Sequence, residues 1–273
     1  MDIADFERQF DQGLTAMADL PLPNARQYYD ALCASFAPAL PNGMTLTDDR
    51  IGNVPVRRHI PRHHNPGVVV YIHGGGFNLG SLDSHQGVAA GLAEALSREV
   101  VSIGYRLLPE AGYADALDDC RQVIAEISPA ALVGDSAGGR LILDLCHDPD
   151  ASPPLGLIYP PAGTLTAETL GPDAPLLSRD DVFAAWEAMA QGSPAVDDLS
   201  PPARQIEVLA VSRDPLTAPL EDAVSRWRED GAEVGYYLAA DMLHGCLHAR
   251  EQLPAMAEAW RSFCHALKQR LDN

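Results

Sequence analysis

One serine, Ser136, lies between glycines at the end of an apolar run and could act as a nucleophile. Residues 131–139 read Ala-Leu-Val-Gly-Asp-Ser-Ala-Gly-Gly, which predicts a strand, a sharp turn and the start of a helix. Gly134 and Gly138 would permit the strained backbone of such a turn. The free N–H groups at the helix N-terminus would stabilise negative charge beside the hydroxyl. The alternative is an ordinary helix cap, in which Ser136 or Asp135 only begins the helix.

A second stretch that could take part in chemistry is His-Gly-Gly-Gly-Phe at 73–77, directly after the apolar segment 68–72. Three consecutive glycines at the end of a strand leave backbone N–H groups exposed. Exposed N–H groups are what the binding of an oxyanion requires. These residues are therefore predicted to form an oxyanion loop.

Two other interpretations of these glycines remain open. A dinucleotide-binding turn has the spacing Gly-x-Gly-x-x-Gly, whereas Gly74, Gly76 and Gly80 extend it by one residue. The acidic residue expected after the next strand is replaced by Tyr105-Arg106, which leaves a weak phosphate-binding alternative. A turn with only a structural role is the other interpretation.

A serine nucleophile requires a base, and the base requires a carboxylate that orients it. In an open parallel sheet, reactive groups lie at the carboxyl ends of the strands. Asp214 follows the strand predicted at 206–212, and His244 follows the strand predicted at 234–239. The chain order Ser136, Asp214, His244 is that of α/β-hydrolases. The alternatives are a helix cap for Asp214 and a structural loop histidine for His244.

The other histidines are predicted to be structural. Within or at the ends of predicted helices lie His85, His147 and His265. His63 and His64 fall in a Pro- and Gly-bounded turn at 61–67, without a spaced set of partners. His248 follows His244 at a spacing that could suit a metal, but no adjacent Glu or third ligand supports a site. No metal site is predicted.

Strands and helices that must position these residues alternate along the chain. Strands are predicted at 54–60, 68–72, 100–104, 131–135, 155–159, 206–212 and 234–239. Helices are predicted at 84–97, 114–127, 137–146, 180–190, 218–230 and 254–270. Repeated strand–helix units predict an α/β fold with a mostly parallel sheet covered on both faces. The proline in 54–60 makes that segment an expected edge strand, after a polar connector at 38–53.

The N-terminal region has a helical apolar pattern. Its apolar positions are Phe6, Phe10, Leu14, Met17, Leu20, Tyr28, Leu32 and Phe36, interrupted by Pro21 and Pro23. This pattern predicts two short amphipathic helices, which could form a lid over the site or a packed arm. We therefore expect a helical cap at 1–50 and a catalytic domain at 51–273. A Pro- and Gly-rich insertion around 160–200 is expected to contribute to the cap.

Composition excludes several classes of partner. The 273 residues are 47% hydrophobic, which suits one large α/β domain. With 38 acidic and 19 basic residues, the formal charge of −19 would repel nucleic acid and anionic membrane surfaces. The substrate is therefore expected to be small and uncharged. Lys268 is the only lysine, which argues against a P-loop, a Ser-Lys site or a Schiff base.

Cysteine usage and the N-terminus bear on the compartment. The five cysteines, Cys33, Cys120, Cys146, Cys246 and Cys264, are widely spaced and contain no Cys-x-x-Cys pair. Reduced thiols are the simplest interpretation. Residues 1–7 are acidic, unlike a signal peptide, and no apolar run approaches the roughly 20 residues of a membrane span. We expect a cytoplasmic protein without membrane insertion.

Five segments, in order, resemble the hormone-sensitive-lipase family of α/β-hydrolases, the bacterial carboxylesterases. They are His73-Gly74-Gly75-Gly76-Phe77, Tyr105-Arg106-Leu107-Leu108-Pro109-Glu110, Gly134-Asp135-Ser136-Ala137-Gly138-Gly139, Asp214-Pro215-Leu216 and His244-Gly245. The resemblance extends from about residue 54 to the C-terminus. It implies the α/β-hydrolase fold, with no cofactor or metal, in a monomer or homodimer.

The resemblance also implies a role for each residue of the site. Ser136 would be the nucleophile, His244 the general base and acid, and Asp214 the residue that orients His244. The implied oxyanion hole consists of three backbone N–H groups, those of Gly75, Gly76 and Ala137.

Several features depart from the family. Arg140 stands where a small amide residue is usual, and Cys246 where an aromatic or apolar residue is common. Cys246 either lines the pocket or is buried and inert. The chain between His73 and Ser136 is short, and so is the N-terminal cap. These differences affect the expected substrate more than the expected reaction.

The sequence thus predicts a serine hydrolase that cleaves small, short-acyl carboxylic esters through an acyl-enzyme. The same triad could act on an amide, a lactone or a carbamate. A small-molecule receptor on a hydrolase scaffold is a second alternative, although a receptor has no need of all three triad residues. An NADP-binding oxidoreductase that uses the glycine loop and Arg106 is the third.

Overall fold

An eight-stranded sheet forms the centre of the protein in the computed structural model, which describes residues 1–190 and 200–272. Its strands are β1 (Thr45–Ile51), β2 (Val54–Ile60), β3 (Val69–Ile72), β4 (Val100–Ile103), β5 (Ala131–Asp135), β6 (Leu155–Ile158), β7 (Gln205–Arg213) and β8 (Glu233–Leu243). They lie in the order β1-β2-β4-β3-β5-β6-β7-β8. The pairs β1–β2 and β2–β4 are antiparallel, and all the others are parallel. The predicted α/β-hydrolase fold is confirmed.

Helices alternate with the parallel strands, as the periodicity predicts. They are α1 (Ile3–Met17), α2 (Leu22–Phe36), α3 (Gln86–Leu96), α4 (Tyr113–Ile127), α5 (Ala137–Leu145), α6 (Arg179–Ala190), α7 (Thr217–Glu229) and α8 (Pro254–Asp272). A short 3-10 helix, Cys246–Ala249, follows β8. No helix among the described residues combines the length and the apolar character needed to cross a membrane.

Two apolar cores lie on opposite faces of the sheet, because successive side chains of a strand point in opposite directions. In β3, Val70 and Ile72 belong to the core formed with α4, α5 and α7. Val69 and Tyr71 belong to the other core, formed with the N-terminal helices, α3 and α8. Burial on both sides explains why β3 is a continuous run of apolar and aromatic residues, and why all four residues of β4, including Ser102, are buried.

The prediction of a connector at 38–53 and an edge strand at 54–60 is wrong. The edge strand is β1, which lies within the expected connector, and β2 is internal. Most residues of β1 are exposed, so the strand lacks the apolar pattern on which the prediction depends. Pro55 is tolerated because the pairing of β2 with β4 begins one residue later, at Val56 opposite Ile103.

The two predicted N-terminal helices are present as α1 and α2, and they pack into the main core. Phe6 and Phe10 stack with ring centroids 5.2 Å apart, and both contact the ring of Phe36. The predicted apolar face is wrong at Tyr28, which is 41% exposed, because its neighbour Tyr29 is the buried residue. Leu20, also assigned to that face, is 39% exposed.

The expected boundary between a cap at 1–50 and a catalytic domain at 51–273 stays a prediction. Of the insertion expected around 160–200, residues 191–199 lie outside the described residues. The described part of the insertion, which includes α6, forms a separate small apolar cluster together with Leu216 at the start of α7. The buried members of this cluster are Leu165, Leu170, Val182 and Leu216. This cluster is called the insertion cluster below.

Replacing Phe6 with alanine should destabilise the whole domain. Phe6 is fully buried in the core that also contains Val69 and Tyr71 of the central sheet. A buried Phe→Ala change typically costs about 3–5 kcal/mol. We expect Phe6→Ala to lower the temperature of one cooperative transition in calorimetry, and Tyr28→Ala, at an exposed position of α2, to have little effect. A separate early transition in Phe6→Ala would instead make the N-terminal helices an independent unit.

Candidate active site

Ser136 occupies a strained turn between β5 and α5. Its backbone angles are φ 48° and ψ −121°, a conformation that costs energy and persists only where the surroundings enforce it. A Cβ at Gly138 would lie 2.0 Å from the carbonyl oxygen of Ile72, so a larger residue cannot replace this glycine without moving the backbone. The Ser136 N–H donates to the Ile158 carbonyl at 2.8 Å. The Ser136 side chain does not cap α5, which removes the helix-cap alternative.

The structure brings Ser136, His244 and Asp214 into one hydrogen-bonded line. His244 Nε2 lies 2.9 Å from Ser136 Oγ, and His244 Nδ1 lies 2.6 Å from Asp214 Oδ2. The other oxygen of Asp214 accepts from the Leu216 N–H at 2.8 Å. The Asp214 side chain is fully buried, whereas the His244 side chain is 13% exposed. The imidazole is therefore held by a fixed carboxylate while it stays open to the cleft.

These three side chains meet because their strands are parallel. Ser136 follows β5, Asp214 follows β7 and His244 follows β8, so all three lie at the carboxyl ends of the parallel strands. The ring of Tyr159, after β6, packs against His244 with centroids 4.4 Å apart. Packing on one side and the hydrogen bond to Asp214 on the other fix the orientation of the imidazole.

The glycine-rich loop follows β3, at the same carboxyl end of the parallel strands. Gly75 has φ +115°, and a Cβ there would lie 2.4 Å from the Leu79 carbonyl oxygen, so the loop requires a glycine. Among the described residues, no protein group accepts a hydrogen bond from the N–H of Gly75, Gly76 or Ala137. All three residues line the cleft that contains Ser136. This arrangement can stabilise an oxyanion that develops on the oxygen of a carbonyl group whose carbon is attacked by Ser136 Oγ.

Arg106 is committed to other partners. It is half-exposed and forms ion pairs with Asp115 and Asp119, both at 2.9 Å. The weak phosphate-binding alternative for the glycine loop therefore lacks its free cation. Cys246 is fully buried and does not line the cleft, and burial raises the pKa of its thiol to about 12. Of the two interpretations of Cys246, the inert one fits.

Asp135 is a site residue whose importance the sequence does not reveal. Its Oδ1 accepts hydrogen bonds from the Gly74 N–H at 3.0 Å and from the Tyr71 hydroxyl, and its Oδ2 faces His85 Nε2 at 3.4 Å. Burial would raise the pKa of Asp135, but His85 and Tyr71 lower it below its usual range. A buried carboxylate thus connects the turn of Ser136 to the glycine loop. Its adjacency to Ser136 is the only signal in the sequence.

Three buried histidines pack beneath the site. The ring of His85 lies 5.4 Å from that of His73 and 4.7 Å from that of His248. Burial, and then the nearby His85, lower the pKa of both His73 and His248 to about 3. Within residues 1–190 and 200–272, no group of three His, Cys, Asp or Glu side chains could hold a metal ion. His248 is buried and packs between the rings of Phe10 and His85, as expected for a structural residue.

The cleft above Ser136 has a volume of about 1000 Å³. Its walls include Phe10 and Tyr29 of the N-terminal helices and Trp186 of α6. Arg26 fixes α2 there by donating to the carbonyls of Asn78 and Leu108, each at 2.8 Å, and by pairing with Glu110. The N-terminal helices thus form part of the cleft wall.

The acidic composition of the sequence extends into the cleft. Its ionisable lining residues, apart from histidine and tyrosine, are Glu110, Asp115, Asp135 and Asp181. No Lys or Arg of the described part of the chain lines it. Glu110 and Asp115 have arginine partners, but Asp181 forms no ion pair with a described residue. The cleft therefore offers a negative charge to a bound molecule.

Comparison with known proteins identifies similar chains. A family model described as the alpha/beta hydrolase fold matches residues 69–248. Carboxylesterase NlhH of Mycobacterium tuberculosis is 33% identical over 83% of this chain and 82% of its own length. The ethyl acetate hydrolase of Pseudomonas putida is 30% identical over 54% of each chain. The crystal structure of a hormone-sensitive lipase from a metagenome library superposes with a TM-score of 0.84 at 25% identity, and the match covers 99% of both chains.

Acidification from about pH 7 to pH 5 should lower the free energy of unfolding. His73 and His248 have a folded pKa of about 3 and an ordinary value of 6.5, so the unfolded chain takes up protons that the folded chain does not. Above about pH 6.5 both histidines are neutral in the folded and in the unfolded chain, so they do not affect the free energy of unfolding. Below this pH the unfolded chain binds protons, and the free energy of unfolding falls. Each histidine contributes up to about 1.4 kcal/mol per pH unit. Urea unfolding across this range measures the effect.

Two variants identify the source of that pH dependence. His248→Gln should reduce the slope of the free energy of unfolding against pH, because it removes one buried histidine. His63→Gln should leave it unchanged, because His63 is exposed in its turn. Equal slopes for His248→Gln and the unmodified protein would contradict the assignment to buried histidines.

Proposed function

The chain belongs to the hormone-sensitive-lipase family of α/β-hydrolases, and from this we propose that it is a serine carboxylesterase that hydrolyses small esters through an acyl-enzyme. The observation that carries the proposal is the line from Asp214 through His244 to Ser136, with hydrogen-bond distances of 2.6 and 2.9 Å. The esterase relatives support the reaction class.

In the proposed mechanism, Ser136 Oγ attacks the ester carbonyl while His244 Nε2 accepts the hydroxyl proton. Asp214 keeps Nδ1 protonated and stabilises the positive charge that develops on the imidazole. The N–H groups of Gly75, Gly76 and Ala137 bind the oxyanion, and removing one donor in such a site typically costs about 3 kcal/mol of barrier. His244 then protonates the leaving alcohol, and the acyl group stays on Ser136 Oγ.

Hydrolysis of the acyl-enzyme repeats these steps with water as the nucleophile. His244 takes a proton from the water, the oxyanion hole binds the second tetrahedral intermediate, and Ser136 leaves with its proton restored. The free acid is released. No step requires a cofactor or a metal.

The substrates we propose are neutral esters with short acyl chains. The apolar walls and the negative charge of Asp181 support a neutral substrate rather than an anionic one. The proposed preference for short acyl chains rests on the small size of the N-terminal cap. The volume of the cleft does not by itself limit the length of the acyl chain, because it lies at the upper end of the range for ligand pockets, about 300–1000 Å³. The five buried thiols, none in a disulfide, support the proposed cytoplasmic location.

Replacing Ser136 with alanine should abolish hydrolysis of p-nitrophenyl acetate and butyrate. In a triad enzyme, loss of the nucleophile lowers kcat by about 10⁴-fold or more. A fluorophosphonate should add its mass to the tryptic peptide that contains Ser136 in the unmodified protein and not in Ser136→Ala. Ser225→Ala, at an exposed position of α7, is the matched control and should retain activity and labelling. Activity that survives in a folded Ser136→Ala protein would refute the mechanism.

Anionic esters should be poor substrates. At low ionic strength, we expect kcat/KM for p-nitrophenyl hemisuccinate to fall about fivefold below that for the butyrate ester of equal chain length, because Asp181 and the acidic lining repel the carboxylate. Added salt should reduce the difference by screening. At low salt, Asp181→Asn should reduce the difference in kcat/KM between the two esters and leave butyrate hydrolysis unchanged. Equal turnover of the two esters would contradict this charge preference.

A further inference from the structure

A charged side chain is buried directly behind the cleft. Arg140 lies on α5, one turn after Ser136, and its side chain is only 1% exposed. An arginine is almost never fully buried unless it is paired. Among the described residues it forms an ion pair with Asp144, one turn further along the same helix.

The cluster around Arg140 reaches two aromatic residues of the cleft wall. The Asp144 carboxylate is shared, since Oδ1 pairs with Arg140 and Oδ2 accepts from the Tyr113 hydroxyl at 2.6 Å. The guanidinium carbon of Arg140 lies 5.3 Å from the ring centroid of Trp186, within the range of a cation–π contact. Tyr113 and Trp186 both line the cleft with Ser136.

Trp186 occupies a junction between two apolar regions. It packs against the insertion cluster and also against the core on the α4, α5 and α7 face of the sheet. Its ring is therefore where the described part of the insertion meets the body of the domain. Arg140 contacts this ring from the helix that carries the nucleophile.

The burial of Arg140 and Asp144 is weak evidence for a role in stability. Replacing a buried ion pair with apolar residues of similar volume is often neutral or stabilising, because removing the charges from water costs free energy. A planar guanidinium can, however, bind a carboxylate and stack on an aromatic ring at the same time, and neither an apolar residue nor a lysine can do both. The cluster thus fixes relative positions more than it adds stability.

We propose that Arg140 is a positioning residue that sets the size selectivity of the cleft by holding Trp186 as a rigid part of its wall. This inference rests on the proposed esterase function. Arg140 has no part in bond making or breaking. Its contribution is to keep the indole of Trp186 from turning away, so that bulky esters meet a fixed barrier and small esters do not.

The test compares selectivity in Arg140→Gln, Trp186→Ala and the double variant. Substrates are p-nitrophenyl acetate, butyrate and octanoate, which vary the acyl group, and ethyl and benzyl acetate, which vary the alcohol. In these variants we expect the ratio of kcat/KM for the bulky ester to that for the small ester to rise about tenfold in one of the two series. Discrimination of this size is typical of a few methylene groups in an apolar pocket. Because Arg140 itself does not line the cleft, the kcat of Arg140→Gln for p-nitrophenyl acetate should change little.

A double-mutant cycle separates this role from a general structural one. If Arg140 acts through Trp186, the selectivity change in the double variant should equal that of Trp186→Ala alone. Arg204→Gln, which removes an exposed arginine paired with Asp150, is the matched control and should leave selectivity unchanged. Additive effects, or unchanged ratios in both substrate series, would overturn the inference.

A second readout is independent of hydrolysis. Acrylamide quenching of Trp186 fluorescence, isolated by subtracting a Trp186→Phe protein, should increase when Arg140 is replaced, because the ring loses its contact. Trp227 and Trp260 are 0% and 7% exposed and serve as internal references. Unchanged quenching would overturn the positioning role.

If the unmodified protein hydrolyses none of the esters, the proposed function fails, and quenching still decides whether Arg140 holds Trp186. Should Arg140→Gln fail to fold, Trp186→Ala alone still tests the wall through the ester ratios.

Discussion

The buried carboxylate of Asp135 is the interaction on which the geometry of the site depends. It lies between two loops from different strands, accepts a hydrogen bond from Gly74 at the start of the glycine loop, and directly precedes Ser136. Burying a charge is costly unless it is paired and hydrogen-bonded. Tyr71 and His85 supply that compensation from the sheet and from the start of α3, so the position of the proposed oxyanion hole relative to the nucleophile is fixed within the core.

The sheet provides the other constraint. Ser136 has an unfavourable backbone conformation, and neighbouring elements at close range enforce it. Because β5, β7 and β8 are parallel and end at one edge, three residues that are distant in sequence meet there without a long loop. Residues of α1, α2 and α6 line the cleft above these strand ends.

Features encoded in local patterns could be predicted from the sequence. Continuous apolar runs mark the buried parallel strands, and the glycines around Ser136 mark the turn. The position of Asp214 and of His244 follows from the ends of strands. The strand β1 could not be predicted, because an exposed edge strand has no apolar face to display. The choice between Tyr28 and Tyr29 depends on a small rotation of α2 that periodicity does not resolve.

Long-range pairing of polar groups was also beyond sequence reasoning. The contact of Asp135 with His85 and that of Arg140 with Trp186 join residues of different elements. Composition predicts that such charges are exposed, and only the fold brings their partners close enough to bury them. These polar contacts lie directly around the cleft, where sequence patterns carry the least information.

The order of the strands has a consequence for biosynthesis. His244 follows β8, the last described strand along the chain, and within the described residues β8 pairs with β7 alone. During translation the turn that carries Ser136 is therefore synthesised long before His244, and parallel pairing over such sequence distances is slow. A nascent or partly folded chain consequently holds Ser136 without the His244 imidazole beside it. The hydrogen bond between His244 and Ser136 can form only after β8 has paired at the edge of the sheet.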